Sequence, residues 1–231
     1  MQDHKAPSLG LLLAESRALP HYLRYRLRGL RTDHLPSGNG APVIVIPGFG
    51  ASDTTTRPLR HALTALGYDV SGWHQGKNKG MTRPISDGLK AMLASTYARH
   101  EMPVTLIGWS LGGVFARELA RKQPQQVQQV FSLGSPIGGH PHANNVTALF
   151  ALFNPAARQP PDMDAFHQRS IAPDVPCTAI YSKSDGIVSW RCCLEQPAAH
   201  TQNVEVKGPH CGFPWNQQVL DVLAKAMAVT N

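Results

Sequence analysis

Short, wholly apolar runs alternate along this chain with longer stretches in which apolar residues return every three or four positions. Pro42-Val43-Ile44-Val45-Ile46 is an unbroken apolar run, the kind of strand buried on both faces of a parallel sheet. Residues 103–107, short and rich in branched side chains, predict a buried strand, and 127–133 and 177–181 each predict another. Tyr68-Asp69-Val70, carrying on through Trp73, and Val204-Glu205-Val206 predict two more. Helical spacing covers 57–66, 85–98, 111–120 and 215–229, the first ending at Gly67 and the third before Pro124. Strands alternating with helices predict an α/β chain, a mostly parallel sheet of about six strands flanked by helices.

The pattern changes at two places. Residues 1–8 carry no pattern and are expected to be disordered. From Leu9 to Leu30 apolar residues recur at 12, 19, 23, 27 and 30 opposite a face of arginines, interrupted by Pro20. This predicts one kinked helix or two short ones. Such a basic amphipathic segment lies on a membrane or docks its leucines on the body of its own protein; docking is the commoner outcome and the expectation here. A polar linker follows over 32–40. The second interruption is some forty residues rich in Pro, Asn and His, between the strand ending near Leu133 and the strand ending near Tyr181. A connection that long is usually functional, and 136–175 is expected to be a lid or cap insertion. Residues 1–231 together are expected to form a single domain.

Composition narrows the function classes. Lys and Arg number 22 against 15 Asp and Glu, for a formal charge of +7, with much of the excess early, in Arg17, Arg24, Arg26, Arg28 and Arg31. That balance suits an anionic ligand or lipid surface, met through the basic N-terminal helix or the lid. Nucleic acid is disfavoured, because no basic stripe is interleaved with aromatics and no helix-turn-helix or finger spacing occurs. No apolar run is long enough to cross a bilayer. Leu9 to Leu13 is too short for a signal-peptide core and is followed by Glu15 and Arg17. The expectation is a cytoplasmic protein, with any membrane contact peripheral. The four cysteines form no C-x-x-C pair; reduced thiols are expected, with a bridge involving Cys177 or Cys211 left open.

The chemistry concentrates in Gly108-Trp109-Ser110-Leu111-Gly112-Gly113, a G-x-S-x-G motif between a strand and a helix. A serine there occupies a sharp turn that lifts its hydroxyl off the sheet edge, within reach of a base and a substrate. The hydroxyl is a poor nucleophile until a base takes its proton, and the base needs a third group to fix its tautomer. Both partners belong on loops after later strands, in the order Ser, acid, His. Asp185 lies four residues past the strand ending at Tyr181, and His210 follows the last strand. Asp162, Asp164 and Asp174 precede their strand, and Asp221 is on the final helix. His140, His142 and His167, in the long connection, stay open as rival bases. Acyl transfer also needs two backbone donors aimed at the developing oxyanion. The N–H of Leu111, directly after the serine, and that of Phe49, in the loop after the first strand, are the candidates. Trp109 and Gly48, with Phe150 and Phe153 of the apolar patch at 148–153, are expected to face the substrate, although the patch could equally pack on the core.

His140-Pro141-His142 offers two nitrogens but no regularly spaced third ligand, so no metal site is expected. Gly76-Lys77-Asn78-Lys79-Gly80 lacks the spacing of a phosphate loop and is expected near the mouth of the site.

With elbow, oxyanion loop, acid and base in this order, the chain resembles the α/β-hydrolase superfamily, and within it the compact lipase and esterase group, from about Pro42 to the final helix. The resemblance implies the α/β-hydrolase fold, with Ser110 as nucleophile, Asp185 as acid, His210 as base, and Phe49 and Leu111 as oxyanion donors. Tyr181-Ser182-Lys183-Ser184-Asp185-Gly186-Ile187-Val188 is similar to the family's acid-bearing loop. The chain departs from the pattern in having Pro47 where lipases usually have His, and Trp109 where they more often have His or Tyr. The family's two leading antiparallel strands are replaced by the arginine-rich helical segment. The expected function is hydrolysis of small-molecule or lipid carboxylic esters through an acyl-enzyme, with no metal or organic cofactor. The alternatives are an acyltransferase or thioesterase using the same triad and, further off, a non-catalytic lipid-surface module. A dehalogenase is disfavoured, since that chemistry needs a carboxylate where Ser110 stands.

Overall fold

The computed structural model describes residues 5–138, 145 and 163–230. The apolar runs form one sheet: β1 (Pro42–Ile46), β2 (Asp69–Ser71), β3 (Val104–Trp109), β4 (Val127–Leu133), β5 (Cys177–Tyr181) and β6 (Thr201–Glu205). The spatial order is β2-β1-β3-β4-β5-β6, and every neighbouring pair is parallel. The helices are α1 (Leu9–Ala14), α2 (Ala18–Arg28), α3 (Asp53–Ala65), α4 (Arg83–His100), α5 (Leu111–Lys122), α6 (Met163–Ser170) and α7 (Gln217–Thr230).

The pleat explains why β1 is apolar without interruption and its neighbours nearly so. Val43 and Val45 join Ile107 and Phe131 on one face, packed by Leu59 and Leu63 of α3 and Leu220 and Leu223 of α7. Ile44 and Ile46 join Leu106 and Val130 on the other, packed by Leu89 and Leu93 of α4 and Phe115 and Leu119 of α5. Both faces are core, so β1 carries no polar residue; in β3 and β4 the buried Thr105 and Gln129 meet each other, Gln129 Nε2 donating to Thr105 Oγ1 at 3.4 Å. Each such side chain contributes roughly 1.5–3 kcal/mol by leaving water. The chain steps from β1 to β2 on one side, then returns to place β3 on the other. That reversal opens a crevice at the carboxyl ends of β1 and β3, where ligands bind in open α/β sheets.

Several boundaries differ from the sequence expectation. The N-terminal segment is two helices joined by a 3-10 turn at Glu15–Arg17. Pro20 is not the break: it sits in the first turn of α2, where a missing N–H costs nothing. Contrary to the expectation above, the leucines of α2 do not dock on the body. Leu19, Leu23 and Leu27 are 64%, 54% and 85% exposed, while Ala18 is buried and Tyr22 packs edge-on against Trp215 with ring centroids 5.0 Å apart. The inward face is therefore aromatic. β6 begins three residues before Val204, and α7 begins after a 3-10 turn over His210–Trp215 that contains Pro214. α6 falls inside the stretch expected as a lid. Most of that stretch lies outside the described residues, including Phe150, Phe153, His140 and His142. All four cysteines are free thiols. No helix among the described residues is long and apolar enough to cross a membrane.

Candidate active site

Ser110 joins β3 to α5 with φ 54° and ψ −124°. A side chain at positive φ crowds the backbone, a strain of about 1–3 kcal/mol that the surroundings must hold in place. Two features hold it. The Ser110 N–H donates to the Leu133 carbonyl at 2.8 Å, fixing the turn to the end of β4. Gly112 lets α5 start against β1, since a β-carbon there would strike the carbonyls of Ile46 and Pro47.

Asp185 and His210 come from the loops after β5 and β6 and are both buried. His210 Nδ1 lies 2.6 Å from Asp185 Oδ2. The other carboxylate oxygen accepts the N–H groups of Ile187 and Val188, each at 2.8 Å. One oxygen is thus anchored to backbone and the other is presented to the imidazole. Burial opposes a charged ring, but the charge and hydrogen bond of Asp185, with the charge of Glu15, outweigh it and raise the His210 pKa above its ordinary value. The pair lies beside the serine turn. A β-carbon added to Gly134, the residue after Leu133, would fall 3.0 Å from His210 Nδ1 and 3.1 Å from Asp185 Oδ2. The Trp109 indole N–H donates to the His210 carbonyl at 3.2 Å. Trp109 itself is buried in the core, where it supports the base loop. His167, one of the rival bases, is exposed on α6.

The loop after β1 closes the other side. A β-carbon on Gly48 would sit 2.9 Å from the Ser110 Cβ, so this loop packs directly on the elbow. Phe49 follows it. Leu111 opens α5, and its N–H is among those a helix start leaves without an intrahelical acceptor. Asn78, fully buried, holds the loop. Its Nδ2 donates to the Pro47 carbonyl at 2.8 Å, and its Oδ1 accepts the Gly80 N–H at 3.0 Å. Its backbone accepts from Gly50 at 2.7 Å and donates to Ala51 at 2.8 Å. Sequence reasoning placed the Gly76–Gly80 loop near the site but gave Asn78 no role; an amide between glycines is the one local signal it offered.

A cleft of about 850 Å³ between α2 and α3 is lined by Tyr22, Tyr25, Arg57 and His61. Of the residues around the Asp185–His210 pair it touches only Glu15, so the chemistry lies elsewhere. Among the described residues no three His, Cys, Asp or Glu side chains are grouped as metal ligands.

Comparison with known proteins bears on the family and the fold. The family model described as "Putative esterase" matches residues 39–183, from just before β1 to just past β5. A stretch of 122 residues, 50% of the chain, is 32% identical to polyketide synthase ThaQ of Burkholderia thailandensis and covers 5% of it. A stretch of 103 residues, 42% of the chain, is 26% identical to the pimeloyl-[acyl-carrier protein] methyl ester esterase of a Shewanella species and covers 36% of it. The matches therefore span well under two thirds of these curated relatives. A soluble variant of monoglyceride lipase from Saccharomyces cerevisiae aligns with a TM-score of 0.63 at 16% identity, covering 85% of this chain and 89% of that one. The likeness is one of fold.

Proposed function

The chain belongs to the esterase family of α/β-hydrolases, and on that premise we propose that it hydrolyses carboxylic esters through an acyl-enzyme formed on Ser110. His210 takes the Ser110 proton as Oγ attacks the ester carbonyl carbon, and Asp185 steadies the imidazolium. The N–H groups of Phe49 and Leu111 receive the developing oxyanion, each worth about 2.7–4 kcal/mol of barrier. Collapse of the tetrahedral intermediate breaks the ester C–O bond, and His210 returns the proton to the leaving alcohol. Water, deprotonated by His210, then releases the acid and restores the serine.

The observation that carries this reading is the buried Asp185–His210 hydrogen bond of 2.6 Å, set beside a serine in strained backbone. Its test is a fluorophosphonate label followed by nitrophenyl esters from acetate to palmitate. Ser110→Ala should keep its circular dichroism and lose both labelling and turnover. Ester cleavage by the folded variant, above background, would refute the assignment.

The substrate belongs to the small-molecule or lipid esters. Exposed Leu19, Leu23 and Leu27, interleaved with Arg24, Arg26 and Arg28, support contact of α2 with an anionic lipid surface. Failure of the protein to float with anionic vesicles at low salt rejects that contact.

A further inference from the structure

Glu15 stands in the turn between α1 and α2, remote from the site in sequence and inside it in space. Its Oε1 accepts the N–H groups of Gly186 and His210, both at 2.8 Å, and its Oε2 accepts that of Cys211 at 2.9 Å. Gly186 directly follows the acid, and His210 is the base. A single carboxylate therefore spans the two loops, across sequence separations of 171 and 195 residues. The surrounding segment is fitted to the same place. A β-carbon on Gly186 would strike the backbone of Leu11. Asn145 Nδ2 donates to the carbonyls of Pro7 at 3.2 Å and Gly186 at 2.7 Å, tying the N-terminal segment to the acid loop a second time. A glutamate serving only its own helix would accept from that helix's first amides. This one collects three donors from two other loops.

We propose that Glu15 is a positioning residue of the active site, its carboxylate holding the acid and base loops together so that Asp185 and His210 meet. The proposal rests on the triad reading above. Hydrogen bonds to a charged acceptor are the stronger kind, and a displacement of about 1 Å in a reacting group can cost about 100-fold in rate.

The charge of Glu15 also reaches the base. Among the described residues, the titratable groups acting on His210 are Asp185 from the acid loop and Glu15 from the N-terminal turn, with Cys211 as its chain neighbour. Burial, then the charge of Glu15, pushes the Cys211 thiol up to about 12. Cys193 also feels Asp185, and burial first, then that charge, holds its thiol well above its ordinary value. Both thiols stay neutral through any ordinary assay, which leaves the two carboxylates to tune the imidazole.

The test is Glu15→Gln, which keeps the shape and one acceptor oxygen but loses the charge and turns an NH₂ toward the Cys211 N–H. Two readouts are taken: the ring-nitrogen NMR titration of His210, which needs no turnover, and kcat and KM for a nitrophenyl ester against pH. The expected result is a His210 midpoint below that of the unaltered protein. The acid limb of kcat/KM should move to lower pH with it, and kcat should fall on the order of 10–100-fold with little change in KM. A residue that merely held the helices would change stability and leave the midpoint alone. An unchanged midpoint and kcat in folded Glu15→Gln overturn the proposal. If the midpoint moves while the unaltered protein cleaves no ester, the hydrolase reading falls and the clamp stands. Should Glu15→Gln not fold, amide hydrogen exchange of the unaltered protein decides. Joint protection of the Gly186, His210 and Cys211 amides supports the clamp, and exchange at exposed-loop rates overturns it.

Discussion

Replacing Asn78 by alanine tests whether the loop after β1 is held in place for chemistry. The substitution removes the donor to the Pro47 carbonyl at 2.8 Å and the acceptor of the Gly80 N–H at 3.0 Å, while the backbone bonds of residue 78 to Gly50 and Ala51 survive. Each lost side-chain bond is worth about 0.5–1.5 kcal/mol net, so the loop loses roughly 1–3 kcal/mol of restraint. If that restraint aims the Phe49 N–H at the oxyanion, the loss appears in the transition state. At about 1.36 kcal/mol per tenfold, kcat should fall roughly 5- to 150-fold. The ceiling is the 2.7–4 kcal/mol or so lost when one oxyanion donor is deleted outright. KM should change little, because the ground-state carbonyl gains less from these donors than the oxyanion does. Steady-state hydrolysis of a nitrophenyl ester gives both constants, and urea unfolding of the same sample gives the stability. A variant destabilised by the expected 1–3 kcal/mol or so but with kcat within about twofold of the parent would show that Asn78 serves the fold alone, and the argument would fail.

Three further outcomes follow from buried charges. On the proposed mechanism activity requires neutral His210; burial opposes its charged form, but Asp185 outweighs it and raises the pKa, so the acid limb of kcat/KM should lie above the ordinary histidine value. Asp185→Asn should move that limb to lower pH and cut kcat by about 10⁴-fold. The same shift has a stability sign: the His210 contribution is fully present below its unfolded pKa and disappears as pH rises through the folded one. Urea midpoints across that window should fall with pH in the parent and flatten in Asp185→Asn; parallel slopes would contradict the linkage. Arg117, on α5, pairs with Glu195, both out of water, and donates to the carbonyls of Ser170 at 3.1 Å and Ile171 at 3.0 Å. Arg117→Ala strands the Glu195 carboxyl, whose pKa burial already raises, and should cost about 3–5 kcal/mol. A loss under about 1 kcal/mol by urea titration would mean that water reaches the pair.

The sequence was most readable where burial is two-sided. β1, β3, β4 and β5 are buried on both faces and mostly apolar, so their runs stood out, and the serine motif was placed correctly because a strand and a helix bracket it. β6 was misplaced by three residues because it is an edge strand: Gln202 and Asn203 are exposed, leaving no apolar run to mark its start. The start of α3 was missed because its first turns are Asp53 and three threonines, and Pro58 reads as a helix opening although it lies inside. That Asp185 and His210 would meet was legible from their positions after strands. Glu15 and Asn78 were not, since their partners lie 171 and 31 residues away and long-range contacts leave no local periodicity. The leucines of α2 were misread for a related reason. Amphipathic spacing says that one face differs from the other, and tyrosines rather than leucines proved to be the inward side.

The bent backbone at position 110 sets the interests of folding and reactivity against each other. The β-carbon at φ 54° is held close against Gly48, and glycine would occupy the same turn without that steric strain. If Ser110 is the nucleophile proposed above, a lineage screened for heat tolerance alone should discard it among its earliest changes, arriving at a sturdier molecule that had forgotten its trade.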